Sequence, residues 1–341
     1  MIYIFTHNIK SPGIMVIVNK LEQKLKNDNI KCRIISSLNE AEYNDMVIPY
    51  GPRCSYEVIK SGKFRLDFSL LIDYYSIGCL NKIKFYTKRG LFNYKDFWYS
   101  IISYLRYSKR EKVILNRYRN IVLVSKEDIY NIRKISDKPN YIYIPNGVDL
   151  NRNIKKNNIT KKTITLGIIA HWTFISIDET RWFIDTIFKD ICKKYDNVKL
   201  KIAGRGNCQL AMKYWSNIPN VEFLGPVDSL DDFFNSLDIY VATVPKGCGI
   251  LNKILDAFSY KVFTIGNVAS FSAFRELQNG YLICESSKDY LKALDFYMHN
   301  PDLVKCYTNN AYNYVKEKHN WDINYEPLLN EINNIYNQYY K

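Results

Sequence analysis

Short apolar runs alternate with helical periodicity along the whole chain, and this alternation restricts the fold more than any other feature. The runs fall into two series, the first at 2–6, 32–36, 46–49, 70–73, 121–125 and 141–144 and the second at 163–170, 199–203, 221–224, 239–242, 262–265 and 281–283. Helical periodicity lies between them at 14–27, 95–119, 179–194, 230–237, 250–260 and 288–298. Strands that alternate with helices form parallel sheets covered on both faces. The pattern therefore predicts an α/β protein with two Rossmann-like, doubly wound domains.

The boundary between the two series is marked by turn residues and a polar stretch. Pro145 and Asn146-Gly147 are typical of turns, and 151–162 is polar without apolar periodicity, as in a linker. A length of 341 residues also suits two domains. We predict domains at 1–150 and 151–320, with a C-terminal helix at 321–341 that packs back on the first domain.

Positive charge is concentrated in the first half of the chain. Residues 1–150 hold 25 Lys+Arg against 14 Asp+Glu, a net +11, and the remainder has 23 against 20, a net +3. Such a balance favours an anionic partner: a membrane surface, a nucleic acid or an acidic substrate.

The segment 82–119 carries much of this charge, with eleven basic and two acidic residues and ten aromatic ones. Its helical spacing places the apolar side chain of Trp98 beside a basic cluster formed by Arg106, Lys109, Arg110 and Lys112. This composition predicts an interfacial helix on anionic lipid. A solvated basic face is the next interpretation, and a nucleic-acid groove ranks last.

The cysteines and the N-terminus indicate the compartment. The eight cysteines include no CxxC pair and no spacing typical of disulfide or zinc frameworks, which indicates a reducing compartment. The N-terminus resembles a strand rather than a signal peptide, and no apolar run approaches the ~20 residues that cross a bilayer.

The segment 247–258 contains the strongest binding pattern. Gly249 ends a loop and a helix is predicted to start near Ile250, where free backbone N–H groups attract phosphate. Lys253 can add a positive charge, and Asp256 lies on the same face, where a carboxylate can bind a ribose diol. A nucleotide site is one interpretation. An ordinary helix with a solvated Lys–Asp pair is the other.

Two further glycine turns are predicted at the same sheet edge. Gly204, Arg205 and Gly206 directly follow a strand, and Gly225 and Val227 follow the next one. Open α/β sheets bind ligands at this edge, although tight strand-to-helix turns explain each glycine equally well.

Seven stretches together resemble GT-B glycosyltransferases, in particular the large retaining family that builds bacterial surface polysaccharides. They are IPNGVD at 144–149, GIIAHWTFISIDETRWF at 167–183, KIAGRG at 201–206, VEFLGPV at 221–227, DIYVA at 238–242, GCGILNKILDA at 247–257 and Trp321 before an amphipathic helix. In the first half, VLVSKED at 122–128 is similar to a family segment. The resemblance implies two domains that face a central cleft.

The resemblance also implies roles for individual residues. Lys253 and its neighbour Asn252 would bind the donor diphosphate, Asp256 the ribose, and the loops at Gly204 and Gly225 the base and phosphates. His171, after the strand 163–170, is a further candidate for the donor phosphates. The family usually has Glu at the position of Asp256, and many members have an acidic residue where Cys248 stands.

The first half supplies weaker candidates for catalysis. His7 ends the first run and is followed by Ser11-Pro12-Gly13, so that His7 and Gly13 are candidate contacts to acceptor or donor. Asp73 is the candidate base for an inverting enzyme. Both side chains also suit structural roles, His7 at a strand end and Asp73 as a cap. No Asp-x-Asp occurs, so we expect no metal and no cofactor.

These observations predict a glycosyltransferase that moves a sugar from a nucleotide-diphosphate sugar, UDP-linked, to a saccharide or lipid-linked saccharide in surface polysaccharide synthesis. We expect a cytoplasmic protein, peripheral on the inner face of the membrane, with an anionic membrane surface and no nucleic acid among its partners. The alternatives are an inverting, glucuronosyltransferase-like GT-B enzyme and a degenerate protein that binds nucleotide sugar without transfer. A nucleic-acid-binding protein is a distant third.

Overall fold

The computed structural model describes residues 1–7, 9, 12–43, 45–88, 90, 92–93, 95–150, 154, 163–243 and 250–340. The chain divides into two compact units. Unit 1 comprises Met1–Asn146, Gly247–Ile250 and Asn320–Lys341, and unit 2 comprises Gly147–Lys246 and Leu251–His319. Most of the predicted linker at 151–162 lies outside the described residues.

Unit 1 contains six short parallel strands. They are β1 Ile2–Phe5, β2 Cys32–Ile35, β3 Met46–Pro49, β4 Phe68–Ile72, β5 Asn120–Leu123 and β6 Asn140–Tyr143. They pair in the orders β2-β1-β3 and β4-β5-β6, and a parallel bridge from Tyr50 to Leu70 joins the two sets. The strand order reverses between β1 and β3, so unit 1 has a topological switch point where these two strands end.

Helices connect these strands and bury apolar faces against them. They are α1 Pro12–Asn27, α2 Gly51–Ser61, α3 Tyr75–Lys88, α4 Lys95–Arg117 and α5 Lys126–Arg133, followed at the C-terminus of the chain by α13 Trp321–Asn324 and α14 Glu326–Tyr339. Val58 of α2 packs in a core cluster with Phe5 and Val47, whereas Ile114 of α4 packs with Leu71 and Ile121. The C-terminal segment belongs to unit 1, where the Tyr325 hydroxyl donates to the Ile17 carbonyl oxygen at 2.9 Å.

Unit 2 is built on one six-stranded parallel sheet. Its strands are β7 Ile164–Trp172, β8 Val198–Gly206, β9 Val221–Gly225, β10 Ile239–Ala242, β11 Phe263–Gly266 and β12 Leu282–Ile283. Their order is β12-β11-β10-β7-β8-β9, the doubly wound dinucleotide-binding order. The order reverses between β7 and β10, and ligands of such sheets bind where these strands end.

Helices fill the connections of unit 2. They are α6 Phe174–Trp182, a π-helical segment Phe183–Phe188, α7 Lys189–Lys194, α8 Cys208–Trp215, α9 Leu230–Asn235, α10 Asn252–Ser259, α11 Ser287–His299 and α12 Pro301–Lys318. The core of the unit is aromatic at its centre, where the rings of Trp172 and Trp215 meet edge to face at 4.8 Å between centroids. Such offset aromatic contacts add to the free energy of burial.

The structure confirms the predicted α/β class and all twelve strand positions, with differences at the ends. Helices α2, α3, α5 and α12 were not among the predicted segments, and α8 was predicted only as a helix that follows the turn at Gly204 and Gly206. The second strand of unit 2 was predicted to end at Ala203 but continues to Gly206. Among the described residues, no helix combines the length and the hydropathy that a membrane span needs.

The continuation of β8 generates a prediction about two glycines. A Cβ at Gly204, where φ is +134°, would lie 1.8 Å from the Ala170 carbonyl oxygen, whereas a Cβ at Gly225, with φ of +66°, meets nothing within 4 Å. We expect Gly204→Ala to destabilise the protein by about 3 kcal/mol because strand pairing must be distorted. Gly225→Ala, the matched control, should cost about 1–2 kcal/mol, from backbone strain alone. Thermal unfolding of both variants measures the difference, and equal midpoints would show that the Ala170 carbonyl does not exclude a side chain at Gly204.

Candidate functional site

The carboxyl ends of β7 and β8 lie side by side at the switch-point edge of unit 2. Ala170 pairs with Gly204 and Trp172 with Gly206 in the parallel register. The expectation that these glycines form a loop after the strand is wrong: both lie within β8. A Cβ at Gly206 would lie 2.6 Å from the Trp172 carbonyl oxygen, so close strand pairing by itself explains both glycines.

His171 and Arg205 are brought together by this pairing. His171 was predicted to follow its strand but lies within β7, and it is the register partner of Arg205. Both side chains are exposed. An imidazole and a guanidinium side by side at a sheet edge can both donate hydrogen bonds to phosphate oxygens.

Gly225 and Val227 occupy the end of the neighbouring strand. Gly225 is the last residue of β9 and is buried, and its φ of +66° is a left-handed conformation that favours glycine. Val227 follows two residues later and is half-buried. Gly225 therefore turns the chain at the same edge that carries His171 and Arg205.

Helix α10 is the first described helix after β10. It starts at Asn252, two residues later than predicted. Its N-cap residue is Leu251, whose side chain makes no capping hydrogen bond to the first turn. Asn252 is exposed, while Lys253 and Asp256 are half-buried. Gly249 lies outside the described residues.

The electrostatics of α10 set Lys253 and Asp256 apart from an ordinary surface pair. Burial lowers the pKa of Lys253 below its ordinary value, and the nearby carboxylate of Asp256 partly opposes this. Burial, with a smaller effect from Asp256, raises the pKa of Tyr240 on β10. A partly desolvated ammonium group at a helix N-terminus attracts anions more strongly than a solvated one.

The end of β10, the strand that precedes α10, is held by two hydrogen bonds. The hydroxyl of Ser270 donates to the Ala242 carbonyl oxygen at 3.0 Å and the backbone N–H of Asn267 donates to the same oxygen at 3.3 Å. Ser270 is buried. The residues after β11 thereby fix the carboxyl end of β10.

In unit 1, His7 lies just after β1 at the switch-point edge. Its Nε2 is 2.7 Å from the Oε2 of Glu57 on α2, and its ring meets Phe5 edge to face at 5.0 Å between centroids. A carboxylate that accepts Nε2–H leaves Nδ1 as a proton acceptor and fixes the ring orientation. Gly13 lies in the first turn of α1.

Asp73 follows a strained turn at the end of β4. Ile72 has a φ of +69°, which is unfavourable for a β-branched residue, and the pairing of β4 with β5 shifts register between Leu70 and Ile72. Such bulges redirect side chains and are frequent next to active sites. Asp73 itself is half-buried.

Two buried carboxylates hold the residues that follow Asp73. Asp128 accepts a hydrogen bond from the Tyr74 backbone N–H at 3.4 Å, and Glu111 accepts one from the Ser76 N–H at 3.2 Å. Burial raises the pKa of Glu111 to about 7, although its hydrogen bonds oppose the shift. Together they compensate the positive end of α3 and fix the turn.

The sequence did not identify Glu57, Glu111 and Asp128 as residues that position the candidate site. A signal for Glu57 existed, because Gly51-Pro52 directly after a strand is typical of a helix start. Its pairing with a histidine fifty positions earlier is a tertiary fact. No sequence signal could have linked Glu111 or Asp128 to the turn after β4.

The described side chains include no group suited to hold a metal ion. Within the part of the chain that the structure describes, no three His, Cys, Asp or Glu side chains group as metal ligands. The metal-independent, cofactor-free site stays a prediction.

Comparisons with known proteins agree with this geometry. The family model "Glycosyl transferases group 1" matches residues 163–300, which belong to unit 2 apart from Gly247–Ile250. A comparison with curated proteins finds no match.

Solved structures with similar folds cover nearly the whole chain. Sucrose-phosphate synthase from Thermosynechococcus elongatus has a TM-score of 0.71 at 14% identity, covering 99% of this chain and 98% of that one. HepE from Anabaena, in complex with UDP and glucose, has a TM-score of 0.60 at 11% identity, covering 98% and 99%. A TarM variant from S. aureus, in complex with fondaparinux, alpha-GlcNAc-glycerol and UDP, has a TM-score of 0.60 at 17% identity, covering 86% of this chain. This chain spans 56% of that TarM chain.

At these identities the similarity shows the fold, which is the GT-B fold with two Rossmann-like domains. Within this fold, the segment 163–300 is similar to the group 1 glycosyltransferases. Both findings confirm the resemblance seen in the sequence.

The partial burial of Lys253 generates a prediction about stability. We expect Lys253→Met to raise the unfolding temperature of the nucleotide-free protein, because the variant no longer desolvates an ammonium group. The lowered pKa means that the folded state releases this proton at a lower pH than the unfolded state, so the advantage of the variant should shrink as the pH rises towards 10. Thermal unfolding at several pH values measures this. A variant less stable than the wild type would show that the lysine stabilises the fold.

Proposed function

We propose that this chain transfers a glycosyl group from a nucleoside-diphosphate sugar, UDP-linked, to a saccharide or lipid-linked saccharide acceptor in surface-glycan synthesis. The observation that carries the proposal is the start of α10, with Lys253 and Asp256, next to a doubly wound sheet that the group 1 glycosyltransferase model matches. UDP in the complexes of HepE and TarM supports the choice of nucleotide.

The proposed donor site uses the charges of unit 2. The ammonium group of Lys253 and the backbone N–H groups at the start of α10 bind the diphosphate, and Asp256 accepts hydrogen bonds from the ribose diol. His171 and Arg205 donate to phosphate oxygens from the neighbouring strands. The helix end and Lys253 supply the positive charge that this chemistry needs, in agreement with a metal-independent reaction.

The transfer exchanges one bond at the anomeric carbon of the donor sugar for another. The acceptor hydroxyl oxygen bonds to that carbon while the bond to the diphosphate oxygen breaks, and its electron pair leaves with the nucleoside diphosphate. Lys253 offsets the charge that develops on the leaving group. The acceptor proton goes to a base in an inverting reaction and to the departing phosphate oxygen in a retaining one.

The His7–Glu57 pair favours an inverting enzyme as a second candidate function. A histidine whose Nε2–H is held by a carboxylate has its Nδ1 free to accept a proton, which is the arrangement of a general base. Asp73, on its strained turn, is the other proposed base. We propose that unit 1 binds the acceptor, and that its basic charge holds the protein at an anionic membrane surface on the cytoplasmic side.

A panel of nucleoside diphosphates tests the donor site. We expect UDP to raise the unfolding temperature without added Mg²⁺, since a ligand at 100 times its Kd adds about 2.7 kcal/mol of apparent stability. Lys253→Ala and Asp256→Ala should each weaken UDP binding by about 1.5–3 kcal/mol, roughly 10- to 150-fold, through loss of a charge-assisted contact.

Asp185→Ala is the matched control, since Asp185 pairs with Lys189 at 3.0 Å on an exposed face of unit 2. It should leave UDP binding unchanged. No stabilisation by any nucleoside diphosphate at millimolar concentration would reject both the transferase and the protein that only binds nucleotide sugar. Binding without turnover of any UDP-sugar would favour the latter.

The His7–Glu57 pair is tested by turnover. With the UDP-sugar that stabilises the protein most, we expect His7→Ala to lower the kcat of UDP release about 100-fold and Glu57→Gln to lower it less, since Glu57 only orients the imidazole. Neither variant should change the Kd of UDP. His299→Ala, which removes a surface histidine of unit 2, is the control. An unchanged kcat in His7→Ala would exclude His7 as the base and favour Asp73 or a retaining reaction.

A further inference from the structure

Helix α4 exposes large apolar side chains near its N-terminal end. The exposed fractions are 59% for Trp98, 64% for Tyr99, 53% for Ile102 and 64% for Leu105, and that of nearby Phe92 is 47%. Trp98, Ile102 and Leu105 follow each other at spacings of four and three residues, so they form one stripe about 10 Å long. We call these five side chains the apolar end of α4.

The opposite face of α4 already provides the helix with its core contacts. Phe97, Ile114 and Leu115 are buried, and Ile114 and Leu115 belong to a core cluster of unit 1. The apolar end therefore faces outward, on the side of α4 away from this core. Exposed apolar groups of this size usually mark a contact with a partner or a membrane.

The hydrogen bonding of Trp98 suits an apolar environment. Its indole Nε1–H donates to the Phe92 carbonyl oxygen at 3.1 Å, and the Phe97 ring meets both Phe92 and Trp98 edge to face. Because the one polar group of the indole is already satisfied, Trp98 can leave water without leaving a donor unpaired.

The same exposed stripe becomes basic towards the C-terminus of α4. Arg106, Lys109 and Lys112 are exposed, and Lys109 and Lys112 continue the line of Trp98 and Leu105. The acidic residue in this half, Glu111, is buried on the opposite side. One helix face is thus apolar over its first two turns and cationic over the next two.

Helix α2, which packs beside α4, adds further basic residues to this surface. The Tyr56 ring on α2 lies between Lys60, with its Nζ 5.3 Å from the centroid, and Arg110 of α4, with its Cζ at 5.4 Å. Arg53 and Lys63 are also exposed. The basic face comprises Arg53, Lys60, Lys63, Arg106, Lys109, Arg110 and Lys112. Glu57, the acidic residue of α2, is bonded to His7.

The separation of apolar and basic side chains identifies the partner. A single-stranded nucleic acid binds where cations and stacking aromatic rings alternate along a groove. Here five apolar side chains form one end and seven cations form the adjoining face. A lipid bilayer with anionic headgroups has this same order, from an apolar interior to a charged surface.

We propose that unit 1 binds anionic membranes through this surface, with the apolar end of α4 inserted among the lipid chains and the basic face on the headgroups. The helix then lies tilted, with its N-terminal turns deeper than its C-terminal ones. The inference rests on the proposed function where it concerns a lipid-linked acceptor, which the tilted helix would bring within reach of unit 1. The membrane contact itself needs no transfer activity.

Sedimentation with vesicles tests this surface. The wild-type chain should sediment with vesicles made of equal parts phosphatidylglycerol and phosphatidylcholine and not with phosphatidylcholine alone. Raising NaCl from 0.1 to 1 M, which shortens the Debye length from about 10 to 3 Å, should release most of it. Equal binding to both vesicle types would overturn the role of the basic face.

Two variants separate the contributions of the two parts. The triple variant Arg106→Glu, Lys109→Glu, Lys112→Glu should lower partitioning at least about 100-fold, because each basic residue near an anionic surface contributes roughly a fivefold factor. The double variant Ile102→Ser, Leu105→Ser should bind anionic vesicles more weakly. The vesicle binding that remains should be released completely by salt. The triple variant Lys199→Glu, Lys213→Glu, Lys288→Glu is the control, with the same charge change on exposed lysines of unit 2.

Fluorescence and competition measurements decide between a membrane and a different partner. A blue shift of tryptophan fluorescence on adding anionic vesicles, absent in Trp98→Phe, supports insertion of the apolar end. An equal loss of sedimentation in the control variant would show a net-charge effect and overturn the proposal, as would tighter binding to single-stranded DNA than to vesicles. Stabilisation by UDP is measured on the wild type and on every variant. If UDP stabilises none of these proteins, the proposed function is refuted. If UDP stabilises the wild type but the wild type does not sediment with anionic vesicles, only the membrane contact is refuted.

Discussion

In unit 2 the backbones of β7 and β8 approach each other so closely near their carboxyl ends that no side chain fits at Gly204 or Gly206. This approach extends the strand pair to Trp172 and brings His171 beside Arg205. It also fixes where the chain leaves the sheet for α6 and α8. Because the ligand-binding edge of a doubly wound sheet is the line along which its strands end, the proposed donor site depends on this pairing.

The two units hold their proposed reactive groups in similar ways, by hydrogen bonds from distant segments. In unit 2, Ser270 and Asn267 bind the Ala242 carbonyl oxygen where the chain leaves β10. In unit 1, Asp128 and Glu111 bind the backbone next to Asp73. Fixing a turn in this way lowers the entropic cost of placing a reactive side chain when substrate binds.

Several of these features reduce stability. Ile72 has a strained backbone, Lys253 is partly desolvated, Glu111 is a buried carboxyl group, and the apolar end of α4 remains in water. Each feature is unfavourable for the isolated chain, and its proposed benefit lies in a fixed turn, a bound ligand, the reaction or a membrane surface. Such conflicts between local stability and function are expected at functional sites.

The sequence by itself determined the α/β class, the positions of all twelve strands and the resemblance to GT-B glycosyltransferases. These depend on local apolar periodicity and on short motifs, such as the one that contains Lys253 and Asp256. It also indicated the basic character of α4. The predictions from the sequence were wrong at strand ends, where Gly204 and His171 were placed after their strands. A glycine after an apolar run is equally typical of a turn and of close strand pairing.

Only the tertiary structure decided which distant residues act together. The carboxylate of Glu57 meets His7, Glu111 and Asp128 meet the turn after β4, and Arg110 shares the Tyr56 ring with Lys60. These pairs join segments up to fifty-four positions apart. Their geometry is set by the order of strands and the packing of helices on them, which local periodicity does not contain.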